Sequence, residues 1–188
     1  MPLSRPLLLV VDVQVGLRSP EYGPRSGAPM LENIAALLVG WRQRGFPVVY
    51  SAHMSAREGS PLERSSPGRQ IEPAVSASTD EEVWDKSTNS VFKVPQFLAQ
   101  VKAVEPSEIV VVGMATDACI TATAREAKDM GFAVAVIEDA CATFARGLGS
   151  APVHAAELVH AVALAALAAS GINVRSSAVQ LAIIASAA

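Results

Sequence analysis

Leu7-Leu8-Leu9-Val10-Val11-Asp12 places five apolar residues in a row and follows them with a carboxylate. A strand with one wet face alternates apolar and polar residues, whereas a strand covered on both faces reads as an unbroken apolar run. This stretch therefore reads as an inner strand of a parallel sheet, with Asp12 emerging at its carboxyl end. Moving outward, Phe46-Pro-Val-Val-Tyr-Ser-Ala-His53, Ile109-Val-Val-Val-Gly113 and Phe132-Ala-Val-Ala-Val-Ile-Glu-Asp139 repeat the β-branched apolar pattern, and shorter strands are expected over 82–85 and 172–175. Between them lie segments of helical period. Over 30–44, Leu31, Ile34, Leu37, Leu38 and Trp41 fall on one stripe that Gly45 ends. Further helices are expected over 95–104, over 116–130 closed by Gly131, over 151–170, and at the C-terminus. Strands alternating with helices specify an α/β domain built from βαβ units.

Composition narrows the class of function. The chain has 188 residues, 51% hydrophobic and 18% charged, with a formal net charge of -3, as expected for one globular domain over 1–188. No basic cluster occurs, so a nucleic-acid backbone is not an expected partner. The longest apolar run, 161–169, is about half of the roughly 20 residues that a membrane span requires. The apolar stretch at 7–11 is too short for a signal-peptide core and no small-residue cleavage pattern follows it, so a cytoplasmic location is expected. Two cysteines, Cys119 and Cys141, make neither a disulfide framework nor a zinc spacing.

Ligands of open parallel sheets bind beyond the carboxyl ends of the strands. Three residues able to do covalent chemistry fall there: Asp12 after the first strand, Lys86 after the third and Cys119 just past the fourth. Asp12 reads either as a loop-ordering carboxylate or as a general base. Lys86, in WDKSTNSVF, reads on its own as a solvated surface lysine and gains interest from its neighbours. Cys119 lies in GMATDACITATAREA, where Thr116 is a plausible N-cap. A cysteine in the first turn of a helix is expected to favour its thiolate, and the same turn offers convergent N–H donors. Cys141 reads as a packing residue.

His154 and His160 are six apart on one helix, which does not place them on one face, so they are not expected to share a metal. The loop over 54–80 is polar and rich in Ser, Pro, Gly and Arg, the composition of a functional loop or lid. Its Arg57, Arg64 and Arg69 either admit a carboxylate-bearing substrate or are simply solvated. Gln14, His53, Trp84, Asn89, Phe92 and Thr116 are the candidate substrate-binding residues, from position alone.

Four blocks in order, LLLVVDVQ around Asp12, WDKSTNSVF around Lys86, VVVGMATDACITATAREAKDMGF around Cys119 and VIEDACAT, resemble the isochorismatase-like cysteine hydrolase superfamily. This superfamily includes nicotinamidases, N-carbamoylsarcosine amidohydrolases, ureidoacrylate and biuret hydrolases, and isochorismatase. The resemblance covers about residues 6–170. It implies a three-layer α/β/α sandwich, Rossmann-like, with a six-stranded parallel sheet of order 3-2-1-4-5-6. It also implies a catalytic triad of Asp12, Lys86 and Cys119, a cis peptide before Ala115, and an oxyanion hole from the N–H groups of Ala115 and Cys119.

Two departures refine the expectation. Nicotinamidases of the superfamily hold a metal through an Asp-x-His pair after the second strand, with further histidines downstream. Here the matching stretch is Ser51-Ala-His53 and no histidine occurs between His53 and His154, so no metal or other cofactor is expected. Isochorismatase itself typically has glycine at the cysteine position, so Cys119 points to C–N bond hydrolysis. The expected function is a metal-independent cysteine hydrolase of a small amide, ureido compound or lactam, acting through a thioester. The alternatives are vinyl-ether hydrolysis of the isochorismatase type, or a catalytically silent binding protein on the same fold. The expected partner is a small-molecule substrate, and the apolar helix over 151–170 together with the resemblance suggests a homo-oligomer, a dimer or tetramer.

Overall fold

A computed structural model describes residues 5–27, 29–151 and 153–186; residues 1–4, 28, 152, 187 and 188, and with them Pro152 of the expected 151–170 helix, lie outside the described residues. Six strands form one sheet: β1 (Leu7–Val11), β2 (Val48–His53), β3 (Val83–Lys86), β4 (Ile109–Met114), β5 (Val134–Ala142) and β6 (Asn173–Arg175). All neighbours pair in parallel, in the order β3-β2-β1-β4-β5-β6. Five helices cover it: α1 (Met30–Gln43), α2 (Pro95–Val104), α3 (Thr121–Asp129), α4 (Ala156–Ala169) and α5 (Ser177–Ser186).

The unbroken apolar run of β1 is explained by a core on each side of it. Leu8 and Val10 face a cluster with Met30, Ile34, Leu37, Leu38 and Trp41 of α1 and Ile184 of α5. Leu7, Leu9 and Val11 face the opposite cluster, built on Phe97 and Val101 of α2, Ala124 and Ala127 of α3, and Leu164 and Leu167 of α4. Each buried Leu or Val contributes about 1.5–3 kcal/mol. Trp41 also fixes α1 to the start of β1, its indole N–H donating to Pro6 O at 3.0 Å.

Three boundaries differ from expectation, each for a backbone reason. The expected 116–130 helix divides into a five-residue π turn, Thr116–Ile120, and α3. The helix expected from 151 begins at Ala156, because His154 is committed to a two-way backbone bridge with Arg146. Strand β5 runs to Ala142, past a register shift between Val111 and Gly113 on β4. The loop over 54–80 is anchored rather than free: it forms turns at Pro67–Arg69 and Pro73–Val75, and Gln70 and Glu72 exchange backbone hydrogen bonds with Val15 and Val13. No helix of the described residues is long and apolar enough to cross a membrane. Leu158 and Val162 of α4 point outward, 52% and 60% exposed.

Gly113 sets how closely the two middle strands approach. Its φ is +117°, and a Cβ there would sit 2.1 Å from Val11 O. Replacing it must push β4 away from β1 directly below Asp12. Gly113→Ala is expected to destabilise the fold by roughly 2–4 kcal/mol in chemical denaturation, from the φ penalty and the clash together.

Candidate active site

The sheet order brings distant parts of the sequence to one rim. Lys86 ends β3 in register with His53 at the end of β2, and Val11 of β1 is in register with Ser51 on one side and Gly113 on the other. Asp12 thus leaves β1 between His53 and the end of β4. Beyond β4 the chain passes through a cis Met114–Ala115 peptide into the π turn that carries Cys119. The chain winds to one side from β1 through β2 to β3 and to the other from β4 through β5 to β6, so a crevice opens between β1 and β4.

Asp12 takes a left-handed φ of +53°, a conformation that Asp tolerates better than most residues, and is buried. One carboxylate oxygen accepts from Lys86 Nζ at 2.6 Å and the other from Ser51 Oγ at 2.8 Å. Lys86, read alone as a surface residue, has no exposed side-chain area. Its ammonium also donates to Thr88 O at 3.1 Å and to Cys119 Sγ at 3.4 Å. A buried ammonium is tolerated only when its donors are satisfied and a counter-charge is close, and this one meets both conditions.

The acidity of Cys119 reverses the expectation of a favoured thiolate. Burial, and after it the Asp12 carboxylate, push the thiol up to about 12, with Lys86 only partly offsetting them. The cysteine also precedes α3 instead of occupying its first turn, and Ala115, not Thr116, stands at the cap position of the π turn. The site therefore holds a neutral thiol beside a carboxylate. His53 is held below the usual histidine range, first by burial and then by Lys86.

A cavity of about 270 Å³ opens over these groups, lined by Asp12, His53, Ala115 and Cys119. Its apolar wall comes from Leu17, Tyr22, Leu62, Met114 and Phe144, with Tyr22 stacked on Phe144 at 5.2 Å. Arg57 and Arg146 bring two cations to the lining. Of the six positions expected to bind substrate, His53 lines this cavity and the other five do something else. Gln14 is buried and clasps the backbone of His53, donating to its carbonyl at 3.1 Å and accepting from its N–H at 2.8 Å. Trp84 packs edge-on against Phe97 and donates to Gln100 Oε1 at 2.9 Å. Phe92 is buried between Phe97 and Phe132. Asn89 is exposed, and Thr116 is buried against α4, 2.8 Å from His160 Nδ1.

Arg146, Tyr22 and Phe144 were missed. The signal for Phe144 and Arg146 was available, since both follow the carboxyl end of β5, whereas nothing in the sequence marks Tyr22. Of the three loop arginines only Arg57 lines the cavity; Arg69 pairs with Asp85. Cys141 is fully buried, as its packing role requires.

Among the described residues, one group of three has ligand atoms close enough for a metal, Asp12, His53 and Cys119, within 4.8 Å of one another. The arrangement does not fit one. Lys86 already places a cation against both Asp12 and Cys119, and the position that would supply a second carboxylate is Ser51, whose hydroxyl is spent on Asp12.

The isochorismatase domain family matches residues 6–179. A member of the isochorismatase family from Chromobacterium violaceum superimposes with a TM-score of 0.92 at 34% identity, over 98% of this chain and 96% of that one. The isochorismatase family protein YrdC of Bacillus subtilis is 29% identical over 85% of this chain and 86% of its own length. Streptothricin hydrolase of Streptomyces noursei is 31% identical over 73% of this chain and 49% of its own length. With its sheet order, rim constellation and matches of this extent, the chain belongs to the isochorismatase family of hydrolases.

Proposed function

We propose that the protein is a metal-independent cysteine hydrolase that cleaves a C–N bond of a small amide, ureido compound or lactam through a thioester on Cys119. The observation that carries this reading is Lys86 Nζ, within hydrogen-bond reach of both Asp12 and Cys119 at the edge of a cavity sized for a small molecule. In the first half-reaction Asp12 takes the thiol proton as Sγ attacks the carbonyl carbon, and Lys86 offsets the charge that appears on sulfur. The carbonyl oxygen, now anionic, is received by the peptide N–H groups of Ala115 and Cys119. The intermediate expels the nitrogen, which takes the proton from Asp12. In the second half-reaction Asp12 deprotonates a water that attacks the thioester, and the acid leaves with Cys119 restored as a thiol.

The cavity wall supports a narrower substrate class. Arg57 is held by Glu21 through Nη2, and Arg146 by Asp117 through Nε at 2.8 Å and Nη2 at 3.3 Å, which leaves the Nη1 ends of both guanidinium groups to meet a ligand. Guanidinium forks suit carboxylates, so the favoured substrate carries a carboxylate away from the scissile bond.

Cys119→Ala is expected to abolish ammonia release from a panel of nicotinamide, biuret and N-carbamoyl amino acids in chelator-treated buffer, by on the order of a thousandfold or more. Cleavage of isochorismate by both wild type and variant would move the function to ether hydrolysis. Arg57→Met is expected to raise KM for N-carbamoylglycine about fivefold to tenfold and to leave biuret turnover unchanged. Because the Cys119 thiol titrates near 12, its alkylation by iodoacetamide should be slower at pH 7 than that of free cysteine, and should climb with pH without a plateau below pH 9. A plateau near neutrality, followed by peptide mass spectrometry, would contradict the proposed role of Asp12 as the proton acceptor.

A further inference from the structure

We propose that Thr116 and His160 are positioning residues: a hydrogen bond from the Thr116 hydroxyl to His160 latches onto α4 the π turn that carries Cys119. The inference rests on the reading of Cys119 as nucleophile. Thr116 is wholly buried, and its Oγ1 lies 2.8 Å from His160 Nδ1. The other ring nitrogen, Nε2, lies 3.1 Å from Glu138 O on β5. A carbonyl oxygen can only accept, so Nε2 carries the hydrogen. Burial holds His160 below the usual histidine range, which keeps the ring neutral, and a neutral ring protonated at Nε2 accepts at Nδ1. The Thr116 hydroxyl is therefore the donor, and its own carbonyl accepts from Thr121 Oγ1 at 2.6 Å.

The internal bonds of the turn set its shape but not its place. Ala115 O accepts from the N–H groups of both Ala118 and Ile120, contacts that would survive a shift of the whole turn. Besides the Cys119 contact with Lys86 and the buried Ile120, two polar side chains tie it to its surroundings. Asp117 reaches Thr143 and Arg146 at the end of β5, and Thr116 reaches His160 on α4. Asp12 and Lys86 are fixed separately, on β1 and β3, so any slide of the turn changes the distance from Sγ to both. Thr116 also stands between the two peptide N–H groups assigned to the carbonyl oxygen, those of Ala115 and Cys119.

The rest of α4 makes the pair informative. Glu157 and His160 are its polar residues in an otherwise apolar AELVHAVALAALAA, and apolar contact alone would have bound the helix to the core. Apolar packing is indifferent to small slides, whereas a hydrogen bond fixes both distance and direction.

The test uses the full chain and 4-nitrophenyl acetate as a chromogenic acyl donor, with Cys119→Ala as control. Thr116→Val and His160→Phe should each lower kcat about tenfold to a hundredfold with KM within about twofold, as expected when a reacting group is misplaced by a fraction of an ångström. Thr116→Ser, which keeps the hydroxyl, should stay within about threefold of wild type, and the double variant should be no slower than the slower single, because both remove one bond. If Thr116→Val fails to fold, His160→Phe makes the same comparison at a half-buried site. Wild-type kcat in Thr116→Val or His160→Phe, equal losses in the Val and Ser variants, or multiplying losses in the double variant would each overturn the latch. Release by Cys119→Ala at the wild-type rate would instead overturn the nucleophile assignment, and the latch with it.

Discussion

Lys86 and Asp12 form an ion pair of 2.6 Å across an intervening strand, with almost no contact with water. Breaking a buried pair of this kind by removing one partner typically costs about 3–5 kcal/mol, because the remaining charge is stranded. The surroundings follow from that requirement. Ser51 satisfies one carboxylate oxygen, Thr88 gives the ammonium a carbonyl, and Gln14 clasps the end of β2 so that the strand between the partners keeps its length and height. The pair lies at the strand ends, where the sheet core beneath it excludes water and the crevice above it admits a substrate.

The acid–base character of the site comes from the same exclusion of water. A solvated cysteine beside a lysine would lose its proton readily, whereas here burial and the neighbouring carboxylate keep the proton on sulfur. A protonated sulfur is a poor nucleophile, which guards the thiol against adventitious oxidation and alkylation.

Much of this was legible in the sequence, and the exceptions have physical reasons. The unbroken run 7–11 revealed a strand covered on both faces, and strand–helix alternation revealed the parallel sheet, because burial and chain reversal leave periodic marks. Asp12, Lys86 and Cys119, which the structure brings together, were picked out by one rule, that chemistry gathers beyond strand ends. The cavity wall was not picked out. Trp84 and Phe92 were chosen from position alone, but Trp84 on β3 and Phe92 on the turn Val91–Lys93 both pack against Phe97 of α2, a contact that only the tertiary fold decides. Tyr22 and Arg57 lie in segments without period, where only tertiary packing decides direction. The π turn at 116–120 was read as an ordinary helix start, since the two begin with the same residue preferences and differ in one hydrogen-bond step.

Most of the cavity wall is drawn from the stretches after β1, in the loop over 54–80 and after β5, with Met114 at the end of β4, while Asp12 and Lys86 stand at strand ends and Cys119 on the turn after β4. Most of the cavity's shape is thus encoded apart from the buried charges. Exchanging Leu17, Tyr22, Arg57 or Phe144 would reshape the cavity without touching the buried Asp12–Lys86 pair, so the same charged floor can sit beneath differently shaped chambers through edits to the loops alone.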